Sequence, residues 1–397
     1  MSAGFVDAAI YIHFPYCLRK CPYCDFSSIA SSRAAIDHFR YARSLVQELD
    51  QRLQHCDTSK LTFRSIYIGG GTPSLWDPAA LQFALAQICE RFCLKLPSLE
   101  VSAECNPSSF DESCASAMRD CGINRFSLGV QSLNDQELRF LGRLHDAQSA
   151  VSAVSAAVKS GCRVSADLIY GLPDQDQDRV VDFAKRLVGV GVGHLSAYLL
   201  GVEPNTPFGE MLRAGAFPQI DESKVVASYL GMSDAMVAQG FEHYEVSSYA
   251  LAGHHCLHNE IVWRGGQYLG LGSGAVGCLQ LRDGRRIRYT NSSNPERYMT
   301  ELAAGHDPFQ ASALLDALEV VDDSMRLQEL IMLGLRLAEG VDIDAAGQDA
   351  GLRGWTAARE REVSRLLRLG RICKSQNRVW IPRREWIWEN DTTARLL

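Results

Sequence analysis

No stretch of the 397-residue chain stays apolar for the length of a membrane span, so helical membrane proteins are not the expectation. The first residues, Met1 to Ala9, lack the basic start and long apolar run of a secretory leader. That points to a reducing compartment, the cytoplasm, where thiols serve as ligands or core filler more often than as disulfides. Internal repeats, low-complexity tracts and long linkers are missing too, which sets aside solenoids and disordered scaffolds. Charge of one sign is not dominant: charged residues make up 22% of the chain, hydrophobic ones 46%, and the formal net charge is −7. These values describe an ordinary globular protein, long enough for a barrel-sized domain and a smaller one.

Cysteine is plentiful, at 13 residues, and three of them stand out. Cys17, Cys21 and Cys24 have the spacing C-x3-C-x2-C, which lets one short loop aim three thiolates at one point. A cubane iron–sulfur cluster normally takes four thiolates, so three would leave one iron open. The competing reading is zinc, which wants a fourth protein ligand and often a second C-x2-C pair, and no such pair follows. Cys89 with Cys93, and Cys114 with Cys121, sit at helical spacing and read as core filler.

Up to about residue 200 the chain alternates strand-like and helix-like segments. Strand candidates are Ala9–Phe14, Ser65–Gly69, Leu99–Glu104, Arg125–Val130, Val164–Tyr170 and His194–Leu200. Amphipathic helices are expected over Ala34–His55, Pro78–Phe92, Ser109–Cys121, Asp146–Ser160 and Asp178–Val190. This order predicts an α/β fold, a partial (β/α)6 barrel of the TIM type. Its unusual residues gather after the strands, where such barrels build their sites: the cysteine loop, Gly69-Gly70-Gly71-Thr72-Pro73, Glu104-Cys105-Asn106-Pro107, Gly129-Val130-Gln131, and Asp167 through Pro173. The triple glycine is not the dinucleotide fingerprint. Beside three thiolates it would let backbone groups approach a small polar ligand closely.

The expected organisation is a barrel over 1–215, a barrel-completing and linking segment over 216–295, and a mostly helical, winged-helix-like domain over 296–397. A helix is expected over Trp355–Leu369 and a short strand pair over Arg371–Trp388. From Gly351 to Leu397 there are 11 Lys and Arg against 5 Asp and Glu. The plain reading is a solvated helix face. Nucleic acid, an anionic surface or an acidic partner are the alternatives.

The cysteine trio with Gly-Gly-Gly-Thr-Pro resembles the radical S-adenosylmethionine superfamily. Tyr11-x-His13-x-Pro15, Glu104-x-Asn106-Pro107, Gly129-Val-Gln131-Ser, Leu141-Gly-Arg143-x-His145 and Asp167-Leu-Ile-Tyr-Gly-Leu-Pro173 narrow the resemblance to oxygen-independent coproporphyrinogen III oxidases. It implies a 4Fe–4S cluster on Cys17, Cys21 and Cys24, with S-adenosylmethionine bound to the open iron. Tyr11, Gly70 and Glu104 match positions for one cofactor molecule. Tyr23, Gly71, Thr72, Gln131, Arg143, Asp167 and Gly201 match positions for a second. From residue chemistry alone, Arg143 and Asp167 could instead form an ion pair at a strand end.

Two departures turn the resemblance toward the HemW branch of heme chaperones. The oxidase pattern carries a further cysteine where this chain has Phe26, and the cluster begins close to residue 1. That branch has a His-Asn-x-x-Tyr-Trp signature, here His258-Asn259-Glu-Ile-Val262-Trp263, with valine for tyrosine. It implies His258 as an axial heme ligand and Trp263 against the porphyrin, with His254, His255 and Cys256 as other candidates. The implied function is heme binding and delivery. The implied partners are heme, heme-accepting apoproteins such as membrane-associated respiratory proteins, and a second copy of the chain, with nucleic acid not among them. The alternative is a radical enzyme acting on a tetrapyrrole.

Overall fold

The computed structural model describes residues 6–309 and 314–397; the leader reading over Met1 to Ala9 lies partly outside them. Twelve strands form one curved sheet: β1 Val6–Phe14, β2 Leu61–Gly70, β3 Glu100–Cys105, β4 Arg125–Gln131, β5 Arg163–Tyr170, β6 His194–Leu199, β7 Glu242–Glu245, β8 Ser248–Ala250, β9 Gln267–Leu271, β10 Val276–Gln280, β11 Arg286–Asn291 and β12 Leu315–Val320. Their order is 12-11-10-9-1-2-3-4-5-6-8-7. β1 to β6 run parallel in chain order, the six-unit partial barrel that the alternation predicts.

The glycine-rich stretch supplies a seventh parallel strand, β9, against the free side of β1. Sequence periodicity does not reveal it, because Gly270 interrupts its alternation. Gly270 is required there: a Cβ would sit 2.0 Å from the Val276 carbonyl oxygen. From β9 the sheet continues antiparallel through β12, well past Pro295, where helices were expected to take over.

Alternation along each barrel strand assigns two faces. Ile10, Ile12, Ile66, Ile68, Val101, Phe126, Leu128 and Val164 point outward into one core with helix residues Tyr41, Leu45, Leu49, Leu81, Leu85 and Ile88. Burying each large aliphatic side chain here contributes roughly 1.5–3 kcal/mol. The inward positions are largely polar. Helices start where an aspartate caps them. Asp37, Asp77, Asp111, Asp146 and Asp176 each accept a backbone N–H of the first turn. The first helix therefore runs His38–Arg52 and begins at its cap, four residues later than its apolar pattern suggested. Cys89 and Cys121 are buried, as core filler should be, and Cys114 is half-buried. Cys93 is exposed, past the helix end at φ 53°.

At the C-terminus, Val341–Asp342, Arg378–Trp380 and Cys373–Ser375 make a three-stranded sheet in that order. Helices Ile343–Asp349 and Ala357–Arg368 lie between the first strand and the hairpin. The expected strand pair ends at Trp380. Pro382 then begins a short 3-10 helix, Arg383–Trp388, which buries Trp386 against His243 with ring centroids 4.7 Å apart. Among the described residues no helix is long and apolar enough to cross a membrane.

Candidate functional site

The cysteine loop is fastened at both ends before it presents any thiol. Tyr16–Cys17 pairs with Ile29–Ala30, Ser31 N donates to the Cys17 carbonyl at 2.7 Å, and Cys24 N closes a turn on the Cys21 carbonyl at 3.2 Å. Phe208 N holds the Pro22 carbonyl at 3.0 Å. All three thiols are free, partly buried, and line one cavity of about 340 Å³ inside the barrel mouth.

The Gly-Gly-Gly-Thr turn abuts that loop. Gly70 has φ 101°, and a Cβ there would meet the His13 ring at 2.4 Å; at Gly71 it would meet the Phe14 and Tyr16 carbonyls at 2.7 Å. The backbone donors of this turn are already used. Gly70 N bonds Glu104 Oε2 at 3.1 Å, Gly71 N the Phe14 carbonyl at 2.7 Å, and Thr72 N the Tyr16 carbonyl at 2.8 Å. The glycines therefore serve close packing of the turn on β1, rather than offering free N–H groups to a ligand. Thr72 Oγ1 donates to Cys17 Sγ at 3.4 Å.

Arg143 and Asp167 are not an ion pair. Arg143 Nη2 donates to the Gly129 carbonyl at 2.7 Å, while Nη1 lies 3.5 Å from both Cys21 Sγ and the Tyr23 hydroxyl. Its Nε is buried without a partner among the described residues. Asp167 accepts from Ser127 Oγ at 3.3 Å. Gln131 sits beside them in the left-handed region, φ 68°, a strained position for a side-chain-bearing residue. Glu104 accepts from the Tyr67 hydroxyl at 3.0 Å. Burial, then the charge of Asp167, pushes its carboxyl up to about 7. Burial likewise lifts Asp167 to about 6. Two carboxyls that ionise with difficulty are primed for a cationic partner.

With Tyr23 and Gly201, twelve of the fifteen sequence-chosen residues thus line this one cavity. Tyr11, His258 and Trp263 do not. The Tyr11 hydroxyl donates to His13 Nδ1 at 3.0 Å, and its ring stacks on Tyr67. His258 is 7% exposed, under the barrel. Its Nδ1 is 3.2 Å from Ser65 Oγ near the start of β2, its ring stacks on Tyr67 at 4.8 Å, and burial lowers it to about 3. Glu100, at the start of β3, accepts the Leu257 and His258 backbone N–H groups and so clamps helix Leu257–Trp263 across the end of the barrel opposite the cysteines. Trp263 carries the Arg336 guanidinium over its ring at 4.5 Å. His254 and His255 flank this plug. His255 stacks on Tyr244 at 4.0 Å and pairs with Glu242 and Glu260. Cys256 reaches the cavity floor, where burial pushes its thiol up to about 12.

Sequence reasoning passed over the inward residues Tyr67, Arg125, Ser127, His194 and Ser196, which also line the cavity. The signal was there: Arg125-x-Ser127-x-Gly129-x-Gln131 and His194-x-Ser196-x-Tyr198 are polar at period two, inside strands otherwise built to be buried.

The donor set fits an iron–sulfur cluster. Three thiols share one cavity wall, and Arg143 and Thr72 direct hydrogen-bond donors at two of the sulfurs. Among the described residues no three His, Cys, Asp or Glu side chains converge closely enough for a single metal ion. A cubane instead takes each thiolate at a separate corner. When bound, such a group supplies one electron and an open iron.

Residues 11–187 match the model of the radical SAM superfamily, and residues 321–388 that of the HemN C-terminal domain. The heme chaperone HemW of Escherichia coli strain K12 is 36% identical over 292 residues, 73% of this chain and 75% of that protein. The heme chaperone HemW of Mycobacterium tuberculosis is 33% identical over 340 residues, 85% and 84% of the two chains. A Danio rerio protein, radical S-adenosyl methionine domain-containing protein 1, mitochondrial, is 32% identical over 341 residues, 85% and 74%. In fold, the chain superimposes on the coproporphyrinogen III oxidase HemN of Escherichia coli with a TM-score of 0.79 at 17% identity, covering 99% of this chain and 90% of that one. The fold is thus shared with HemN, and the chain belongs to the HemW family of the radical SAM superfamily.

Proposed function

We propose that this protein is a cytoplasmic heme chaperone that binds heme and hands it to apoproteins. It would carry a 4Fe–4S cluster on Cys17, Cys21 and Cys24, with S-adenosylmethionine beside Glu104 and Asp167. The observation that carries the reading is Phe26. It is 59% exposed on the rim of the cavity, where the oxidase pattern places a further thiol, so the rim is apolar beside the cluster loop. Relatives named heme chaperones at 36% and 33% identity support the same assignment.

In this reading His258 ligates the heme iron, and the geometry sets a condition on it. The ring is buried beneath Tyr67, so helix Leu257–Trp263 must leave its Glu100 clamp before iron can reach the imidazole. His255, 27% exposed in its side chain, is the competing ligand that needs no such release.

The test is an anaerobic heme titration of wild type, His258→Ala and His255→Ala, with coproporphyrinogen turnover assayed in parallel. Loss of the ligated-heme spectrum only in His258→Ala supports the assignment. Loss only in His255→Ala moves the ligand. Turnover to protoporphyrinogen replaces the chaperone reading with that of a tetrapyrrole oxidase.

A further inference from the structure

The cavity continues below the cluster loop into the barrel, and its floor holds a guanidinium whose donors are unused. Arg125 opens β4, and its side chain shares the inward face with Ser127, Gly129 and Gln131. The residue is 2% exposed and lines the cavity. Among the described residues its side chain makes no hydrogen bond and no salt bridge.

The carboxylates that could neutralise it are engaged elsewhere. Glu100 takes Arg163 at 2.9 Å and the two N–H groups of the plug helix. Glu104 is held by Tyr67 and Gly70, and Asp167 by Ser127. His194, beside Arg125 on the floor, is fixed between Ser165 at 2.7 Å and Tyr244 at 2.9 Å, so it cannot turn to serve. Asn259 also faces the floor, and its side-chain amide makes no hydrogen bond among the described residues.

Glu100 lies near enough to favour the charge, but a buried guanidinium whose hydrogen-bond donors are unused is costly, and a ligand that accepts from them removes that cost. Its planar fork matches a carboxylate with two parallel hydrogen bonds. We infer that Arg125, with Asn259 as a second donor, forms a carboxylate-binding subsite at the floor of the barrel lumen, separate from the cluster and cofactor positions at the mouth. The ligand is a small organic molecule, or the end of a larger one, that enters past the cysteine loop with its carboxylate leading. The inference does not rest on the heme assignment.

The experiment uses cluster-loaded protein under anaerobic conditions, saturated with S-adenosylmethionine. Propionate is titrated by calorimetry, and its neutral isostere propionamide serves as control. Wild type should bind propionate at least tenfold more tightly than propionamide. Arg125→Met should lose that preference, and Asn259→Leu, which leaves the charge in place, should weaken propionate about threefold or more. Equal binding of the two probes overturns the subsite, as does an unchanged preference in Arg125→Met. Displacement of propionate by S-adenosylmethionine overturns its separateness from the cofactor. If Arg125→Met does not fold, Asn259→Leu and the propionate-to-propionamide ratio of wild type decide.

Discussion

Glu104→Gln separates the electrostatics of this site from its packing. The native carboxyl titrates near 7 because it is buried and faces Asp167, against an ordinary value of 4.5. That difference costs about 3 kcal/mol of stability once the group is ionised, at about 1.4 kcal/mol per unit. The folded value is raised, so the folded state holds the proton more tightly than the unfolded state between about 4.5 and about 7. Stability therefore falls as pH rises through that window and levels off above it. A cationic ligand such as the ammonium or sulfonium of S-adenosylmethionine recovers the cost by pairing with the ionised form. At pH 8 about nine-tenths of Glu104 is ionised and at pH 6 about one-tenth, so cofactor affinity should drop about tenfold between them. The assay is equilibrium binding of S-adenosylmethionine to cluster-loaded protein at the two pH values, for wild type and Glu104→Gln. The amide can satisfy only one of the two donors, Tyr67 and Gly70, so the variant should bind more weakly at pH 8. The decisive quantity is the pH dependence. Protonation of the cofactor's own amine affects both proteins alike, whereas the step from Glu104 belongs to wild type. If the two proteins show the same ratio of affinities between pH 8 and pH 6, the electrostatic account of the site is wrong.

Three further outcomes are expected. Cys21→Ala, which leaves two of the three loop thiols, should lose the visible iron–sulfur spectrum and most of its iron after anaerobic reconstitution; full retention would refute the ligand assignment. Gly71→Ala forces a Cβ to 2.7 Å from the Phe14 and Tyr16 carbonyl oxygens, where β1 leads into the cysteine loop, so cluster content should fall severalfold while far-UV circular dichroism stays close to wild type. Glu48→Ala strips the counter-charge from Arg52, with both side chains 1% exposed and 2.6 Å apart, and also frees Tyr298 and the Gly272 N–H. Chemical denaturation should show a loss of about 3–5 kcal/mol, and a loss under 1 kcal/mol would mean the buried pair is not what holds helix His38–Arg52 to the sheet.

How much was legible in advance depended on whether the information was local. The six parallel strands and their helices followed from periodicity, and the aspartate caps fixed where the helices begin. β9 was not legible, because its glycine is set by neighbouring strands rather than by its own alternation. The tail's strand pair was read too long because Trp386 is apolar in a strand-like pattern, yet it is buried by a helix docking on His243. Twelve of the residues chosen from motifs line the cavity, whereas Arg125 belongs to no motif and shows only in the period-two polar pattern it shares with Ser127, Gly129 and Gln131.

By itself the sequence determined the chemistry available here. Three thiols at fixed spacing, a glycine turn and a set of strand-end polar residues specify a cluster loop and its surroundings, because spacing along a short loop constrains geometry directly. Only the tertiary structure decided where each group faces. It engaged the Gly70 and Gly71 N–H groups within the turn, split Arg143 from Asp167, and placed the His258 helix at the opposite end of the barrel from the cysteines. It also left the Arg125 side-chain donors unused on the cavity floor. The physical reason is common to all four: hydrogen-bond partners and burial come from residues far apart in the chain, and closing the sheet around one lumen is what brings them together or keeps them apart.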